Sequence, residues 1–427
     1  MMSSVLVLAI AVLTYYFIIF ARKIKKSIIT FFLGVLLFMF KPVPGLNFEN
    51  VGNIVSFETL GILLGMMIIV EIMKESGFFT FTAVNVIKLS RNKFWTAIFL
   101  LMIVVILFSA FLDNLVTIIL IAPIIFLISD TLNIDPAPLM MLSIFVDNIG
   151  GMSTLIGSPL NIVLGSVGKL DFTQFLITML PLTIISFLIT FFMFKATYKE
   201  DTSNFSEKLK KLSEMDPKKA IQDKNSMIKS LIIFVIVLLG FMFHSMINMN
   251  IAIIAISGSM VLMLLTKRDF ESMAKQLDWD TMFFYAGLFI VTFSLQEIGV
   301  IDVISNLFIP LINTPLVLML IIMWVGALVI PFLSAVPGTL LIAPVVGVLI
   351  SKGAPFELWY AYAIGANLGT NLTPLGAVQN IVGASLIQKQ TGKEIGFAEY
   401  MKMASLTVLA TLIVGTLYLF FHYYVIL

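Results

Sequence analysis

The sequence predicts an all-α polytopic membrane protein made of two inverted repeats of five crossings, each with a re-entrant hairpin and an unwound transmembrane helix. Three observations carry that expectation. Of the 427 residues, 60% are hydrophobic and 12% charged, against roughly a quarter charged in ordinary soluble domains, and no water-soluble fold hides that much apolar surface. Long apolar runs are interrupted by glycine, asparagine and aspartate. The second half of the chain also repeats the first at an offset of 219 to 222 residues.

Taken in order, apolar spans fall near residues 3–20, 27–40, 54–73, 95–129, 136–165 and 172–195, and again near 228–247, 249–266, 280–298, 314–350, 356–388 and 402–427. The first has no basic segment before it and no small-residue cleavage site, and Arg22-Lys23-Ile24-Lys25-Lys26 follows it, the pattern of a retained helix rather than a signal peptide. The 95–129 run breaks at Asp113-Asn114 and the 314–350 run at Ser334-Ala335-Val336-Pro337-Gly338; both read as re-entrant hairpins. The 136–165 run breaks from Gly150 to Pro159 and the 356–388 run from Gly369 to Gly376; both read as unwound crossings. Irregular backbone at membrane depth is tolerated only where protein covers it or a cavity is lined by it.

Counting each hairpin as no net crossing gives ten crossings at ~20 residues each. That count gathers the 26 Lys and Arg on one side, except Lys41, Lys169 and Lys352, as expected of short cytoplasmic loops. Both termini are then expected outside the cytoplasm, in a plasma (cell inner) membrane. The expected domains are a first repeat over 1–198, a cytoplasmic linker over 199–227 and an inverted second repeat over 228–427. The stretch Lys199–Lys229, mixed in Lys and acids, reads as a solvated linker with a short helix around 205–212; an anionic-lipid contact is the alternative.

The repeat is specific. Phe57-Glu58-Thr59-Leu60 aligns with Trp279-Asp280-Thr281-Met282, Gly65 with Gly287, Gly77 with Gly299, and Leu120-Ile121-Ala122-Pro123 with Leu341-Ile342-Ala343-Pro344. Asn148, Gly150, Thr154, Gly157 and Asn161 meet identical residues at Asn367, Gly369, Thr373, Gly376 and Asn380. Five crossings is an odd number, so the second half runs upside down relative to the first. Inverted repeats with broken helices meeting near the midplane are the architecture of secondary transporters.

Composition excludes other classes. The balance of 26 basic against 24 acidic residues argues against nucleic acid as a partner. With no cysteine there is no disulfide, thiolate metal site or thiol nucleophile, and without a GxxxxGK[ST] loop the chain does not hydrolyse ATP through a P-loop. The expectation is therefore a transporter, not an enzyme, with no cofactor beyond a coupling Na+ or H+. A channel or a non-transporting scaffold is the competing class; a scaffold has no need of buried aspartates at helix breaks.

Only Asp113 and Asp147 fall well inside apolar spans. A carboxylate there is expensive unless it is protonated, paired or solvated, so both are expected to bind the coupling ion or proton; the bland alternative is a helix cap at Asp113 and a capped helix break at Asp147. The breaks add Asn114, Asn148, Ser153, Thr154, Ser158 and Asn161 from the first half, and Ser334, Asn367, Thr370, Asn371, Thr373, Gln379 and Asn380 from the second. Glycines at 150, 151, 157, 369 and 376 let backbone approach a solute closely. The second half has Ser334 and Ala366 where the first has Asp113 and Asp147, which assigns coupling to the first half. A Na+ ion would sit at Asp113, Asn114 and Asn148; no other metal site is expected. Two aspartates without an intramembrane Lys or Arg favour a small cation or a neutral polyol-like solute over a multiply charged anion. Glu71 is expected to pair with Lys74, Glu58 and Asp280 to favour the dipoles of the helices they open, and His244 and His422 to have no metal role.

Ser109-Ala110-Phe111-Leu112-Asp113-Asn114 and Asp147-Asn148-Ile149-Gly150-Gly151-Met152-Ser153-Thr154-Leu155-Ile156-Gly157-Ser158-Pro159-Leu160-Asn161-Ile162 resemble the ArsB/NhaD permeases of the ion transporter superfamily. Gly369-Thr370-Asn371-Leu372-Thr373-Pro374-Leu375-Gly376 is similar to the second-half signature of the ArsB arsenite permeases. The resemblance implies inverted repeats with two hairpins, homodimeric assembly and gradient-driven transport: arsenite or antimonite efflux in exchange for protons, in some members with a cytosolic ATPase subunit, or sodium/proton antiport, with dicarboxylate carriers as more distant relatives. The chain departs from the pattern at Ser334-Ala335, where related permeases often have a second Asp-Asn. The reading it supports is arsenite or antimonite efflux coupled to protons or sodium, with Asn, Ser and Thr at the four breaks holding the solute. Sodium/proton antiport and cation-coupled dicarboxylate transport are the alternatives.

Overall fold

The computed structural model describes residues 2–20, 24–199, 205–208 and 216–426. Arg22, Lys23 and residues 200–204 and 209–215 of the expected linker lie outside the described residues. Among the described residues every regular element is helical.

Eighteen principal helices fall into two sets of nine. The first set is α1 (Met2–Phe20), α2 (Lys26–Phe40), α3 (Phe57–Glu75), α4 (Phe78–Leu89), α5 (Phe94–Phe111), α6 (Asn114–Leu132), α7 (Ala137–Gly151), α8 (Pro159–Gly168) and α9 (Phe172–Thr197). The second is α10 (Lys224–Met242), α11 (Ile251–Thr266), α12 (Trp279–Glu297), α13 (Val300–Phe308), α14 (Pro315–Leu333), α15 (Ala335–Ser351), α16 (Leu358–Gly369), α17 (Val378–Thr391) and α18 (Phe397–Phe421). Each helix has its counterpart nine places on. The hairpins are α5–α6 and α14–α15; the broken crossings are α7–α8 and α16–α17.

By length and apolarity alone, six of these helices suffice to cross a membrane, or eight when two bent pairs are each counted as one span. The other pieces are shorter apolar helices of 10–17 residues, among them both parts of the first broken crossing. A 15-residue helix covers only ~22 Å, so α7 completes a crossing only together with α8.

Local chemistry sets the boundaries. Side-chain oxygens of Ser56, Asp171, Asp223, Asn250 and Asp278 cap α3, α9, α10, α11 and α12 by accepting first-turn N–H groups. Gly77 and Gly299 turn the chain between α3 and α4 and between α12 and α13 at φ of +85° and +82°, a left-handed backbone that glycine adopts without strain. These two glycines are repeat mates.

Packing repeats the symmetry. Within each half, α5 packs on α7 and α14 on α16; between halves, α2 packs on α12 and α11 on α3, while α8 packs on α15 and α17 on α6. The halves are thus interlocked rather than side by side. Close approach at the exchanged pairs depends on repeat-mate glycines: a Cβ on Gly65 would lie 2.5 Å from the backbone of Ala255, and one on Gly287 would lie 2.6 Å from that of Thr30. Small residues permit this approach in membranes, where dispersion and hydrogen bonds hold helices together.

The polar residues at helix ends have specific partners. Glu71 pairs with Lys74 at 3.0 Å. Asp280, in the first turn of α12, accepts from Ser27 at 3.0 Å and pairs with Lys25. Glu58 accepts from Asn250 at 2.9 Å. His244 faces Asp171 at 3.2 Å. The linker differs from a wholly solvated segment where it is described: Phe205 is buried, with its ring 5.1 Å from that of Phe94, and the Gln222 amide donates to the Ser76 carbonyl at 3.0 Å. The helical turn there covers 205–208, and the rest of the expected helix lies outside the described residues.

Candidate functional site

The breaks and hairpin tips meet where the halves meet. After α7 the chain runs irregularly over 152–158, and after α16 a single tight turn leads into 373–377. Repeat-mate threonines tie each break to its hairpin: the Thr154 hydroxyl donates to the Ala110 carbonyl and that of Thr373 to the Pro331 carbonyl. Each also accepts a backbone amide, from Gly157 at 2.9 Å and from Gly376 at 3.1 Å. Asn161 and Asn380 brace the breaks from the far side. Asn161 donates to the carbonyls of Gly151 and Thr154, both at 2.9 Å, and Asn380 to those of Thr370 and Thr373 at 2.7 and 2.9 Å.

The same asparagines cross between halves. Asn148 donates to Asn380 Oδ1 at 2.9 Å, and its mate Asn367 donates to Asn161 Oδ1 at 2.8 Å. One bond becomes the other under exchange of the repeats, which is the signature of a pseudo-twofold axis passing between them. Asymmetry enters beside it: Asn148 also bonds Asn371 at 2.7 Å and accepts from Gln379 at 2.6 Å, and Asn371 donates to the Phe145 carbonyl at 3.3 Å. All of these groups are buried, so each bond satisfies groups that would otherwise cost about 1–3 kcal/mol.

Thr154→Val and Thr373→Val are therefore expected to destabilise the protein by similar amounts, on the order of 1–3 kcal/mol each. Thermal unfolding of the two purified variants in detergent checks this. A loss confined to one of them would contradict the equivalence of the two breaks.

Four helix N-termini converge on one cavity of about 110 Å³. Its lining includes Asp113 and Leu115 of α6, Ser158 and Pro159 of α8, Ser334 to Pro337 of α15, and Ala377 to Gln379 of α17. Asp113 caps α6 by accepting the Leu115 amide at 2.9 Å. Ser158, Ser334 and Ala377 make no side-chain cap bond, so their first-turn N–H groups are left to other acceptors. Each N-terminus carries roughly half a positive charge and is a ready anion site. At Ser334 the backbone takes φ 71° and ψ 153°, a region almost reserved for glycine and costing about 1–3 kcal/mol. The strained residue sits at the hairpin tip, on the cavity wall.

A second cavity of about 260 Å³ shares Asp113, Leu115, Pro159 and Asp278 with the first and reaches Glu71, Lys74 and Gln276. Asp113 therefore stands at the junction between the inner cavity and a vestibule opening on the lysine-rich face.

The other predicted residues are distributed as follows. Asn148, Ser334, Ser158, Thr370 and Gln379 line the inner cavity with Asp113. Asn114 does not point there: its Oδ1 accepts from Ser109 at 2.8 Å, and it packs where a Cβ on Gly151 would come within 2.7 Å. Asp113, Asn114 and Asn148 thus face three different partners. Asp147 is fully buried, is absent from the cavity lining, and has no hydrogen-bond partner at either carboxyl oxygen among the described residues. Gly150 and Gly369 serve the hairpin packing, with a Cβ falling 2.9 Å from Ile106 Cα and 2.6 Å from the Ala327 carbonyl oxygen. Ser153 bonds its own turn at Gly150, 2.7 Å away. Asp278, Thr281 and Tyr285 of α12 line the cavity as well; none of them is among the candidate site residues drawn from the sequence, and Asp278 also caps α12 by accepting the Thr281 amide at 3.1 Å.

Helix breaks from two interlocked inverted repeats, closing on one polar cavity, define a membrane transporter. Its sequence places it further: the chain matches the family described as "Citrate transporter", CitMHS, over residues 15–365, and it belongs to that family, within the ion transporter superfamily. An uncharacterised transporter of Mycobacterium bovis is 29% identical over 87% of this chain and 88% of its own. The 46 kDa membrane protein of Mycobacterium leprae is 28% identical over 87% of each. The P protein of Mus musculus is 27% identical over 86% of this chain, which spans 54% of that protein. Among solved structures, the YdaH transporter of Alcanivorax borkumensis superimposes with a TM-score of 0.61 over 97% of this chain and 98% of its own, at 14% identity, a likeness of fold alone. The family is the citrate one; the arsenite specificity expected from the ArsB-like motifs finds no support among these relatives.

Proposed function

We propose that the chain is a secondary active transporter of a small carboxylate-bearing anion, of the citrate or dicarboxylate type, moved together with a cation held at Asp113. The observation that carries this reading is the convergence of four helix N-termini on a cavity with no Lys or Arg in its lining. Four ends at roughly half a charge each supply about two positive charges, enough to balance two substrate carboxylates, while Asp113 and Asp278 of the lining call for two coupling cations, Na+ or H+, of which Asp113 holds the first. The backbone dipoles reverse the charge argument made from side chains alone, which favoured a cation or neutral solute. Membership of the citrate transporter family supports the same substrate class. The polar tips and breaks bind the solute, and rocking of one interlocked bundle against the other exposes Asp113 to each side in turn.

The test is uptake into proteoliposomes with an imposed sodium or pH gradient, offered radiolabelled citrate, succinate and arsenite in parallel. Uptake of a carboxylate that collapses when the gradient is dissipated supports the reading. Arsenite flux without carboxylate flux would restore the ArsB-like assignment, and sodium-for-proton exchange needing no other solute would make the chain an antiporter.

A further inference from the structure

We propose that a groove at the lysine-rich face, remote from the transport cavity, holds one anionic phospholipid of the surrounding bilayer, with its phosphate between Lys199 and Lys402 and an acyl chain along the groove floor. The groove encloses about 460 Å³ between the start of α7, the end of α9 and the start of α18. Its floor is apolar: Met141, Leu142 and Phe145 from α7, Met193 and Phe194 from α9, and Leu406 from α18. Leu406 is 59% exposed, so the groove is open at its side, where lipid rather than water meets this chain. Lys199 and Lys402 stand at its rim, no acidic residue lines it, and neither lysine belongs to an ion pair among the described residues. A cation couple with no ion-pair partner among the described residues, above an apolar trough, matches a phosphodiester above an acyl chain, and basic pockets between helices on the cytoplasmic side are the places where such headgroups bind.

The groove also has a route to the transport site. Phe145 forms part of its floor, and the Phe145 carbonyl accepts the Asn371 amide at 3.3 Å, beside the Asn148 cluster. A chain packed along α7 therefore holds in place the helix that ends in the first break, and occupancy is expected to set the transport rate.

The experiment purifies the full chain and measures co-purifying lipid by mass spectrometry, then binding of phosphatidylglycerol against phosphatidylcholine in nanodiscs. The wild type is expected to retain phosphatidylglycerol in preference to phosphatidylcholine, and Lys199→Gln/Lys402→Gln to lose that preference by about tenfold. Lys218→Gln/Lys219→Gln removes the same charge from exposed linker positions and is expected to leave the preference intact. Equal retention by wild type and the groove variant would overturn the proposal, and so would equal loss in both double variants, which would reveal a diffuse surface effect. Displacement of the lipid by millimolar inorganic phosphate would overturn the acyl-chain part and leave a simple anion site.

Discussion

Asp113→Asn is expected to leave the protein folded and to lower gradient-driven transport by roughly 30- to 150-fold, the effect of losing ~2–3 kcal/mol of charge-assisted cation binding. Asparagine caps a helix about as well as aspartate, so the bond to the Leu115 amide at 2.9 Å and the shape of the hairpin tip should survive. What is lost is the negative charge at the junction of the inner cavity and the vestibule. Asp278 caps the Thr281 amide at 3.1 Å, lines both cavities and keeps its charge in this variant, so the transport that remains is the part Asp278 supports. Asp147→Asn is the informative comparison: that carboxyl is absent from the cavity lining, so its loss is expected to change the initial rate less than the loss of Asp113. Initial uptake rates and thermal melts of both variants read the two effects separately. A fully active Asp113→Asn protein would remove the carboxylate from the coupling mechanism.

Gly365→Ala is expected to be among the most damaging methyl additions in the membrane core of this chain. Its Cβ would fall 1.8 Å from the Met323 carbonyl oxygen and 2.6 Å from the carbon of the same group, a position no rotamer change relieves because the obstacle is backbone. Gly365 and Gly369 form a Gly-x-x-x-Gly pair on α16, and Gly326 of α14 meets them from the other side, where a Cβ would lie 3.1 Å from the Ala366 amide nitrogen. Such small-residue faces let two membrane helices touch along their backbones. Separating them would cost more than the ~1–3 kcal/mol of ordinary overpacking, and would also move Thr373 away from Pro331. The expected outcome is little or no monodisperse protein in fluorescence-detected size-exclusion, where Gly396→Ala, at the exposed start of α18 with an ordinary φ of −67° and nothing within 4 Å of its Cβ, serves as the tolerated control. Wild-type melting behaviour for Gly365→Ala would contradict the observed approach of α14 and α16.

Much of this fold is legible in the residues, because the repeat preserves the groups that satisfy the backbone. Thr154 and Thr373, or Asn161 and Asn380, stand at the same offset because each break leaves the same carbonyls and amides to be bonded. The crossing of Asn148 to Asn380 and of Asn367 to Asn161 is not legible, since an offset shows which residues are equivalent and not which ones touch. The cavity's electrostatics are hidden more deeply. Positive potential from the ends of α6, α8, α15 and α17 belongs to backbone amides, which no residue type announces, so side-chain counting alone led toward a cation or neutral solute. Asp113 and Asp147 look alike in sequence as lone carboxylates in apolar runs, yet one lines the cavity while the other is enclosed in protein. Asp278 and Tyr285 reach the cavity from α12 because α2 and α12 exchange partners between halves, a tertiary fact with no local signal.

The central claim is tested most directly by equilibrium binding to the purified protein: calorimetric titration of citrate and of arsenite, each with and without sodium and across pH. The account predicts saturable citrate binding that tightens with the coupling cation and is lost in Asp113→Asn, with no heat from arsenite. Arsenite binding that is indifferent to cations, in a protein that ignores citrate, would contradict it.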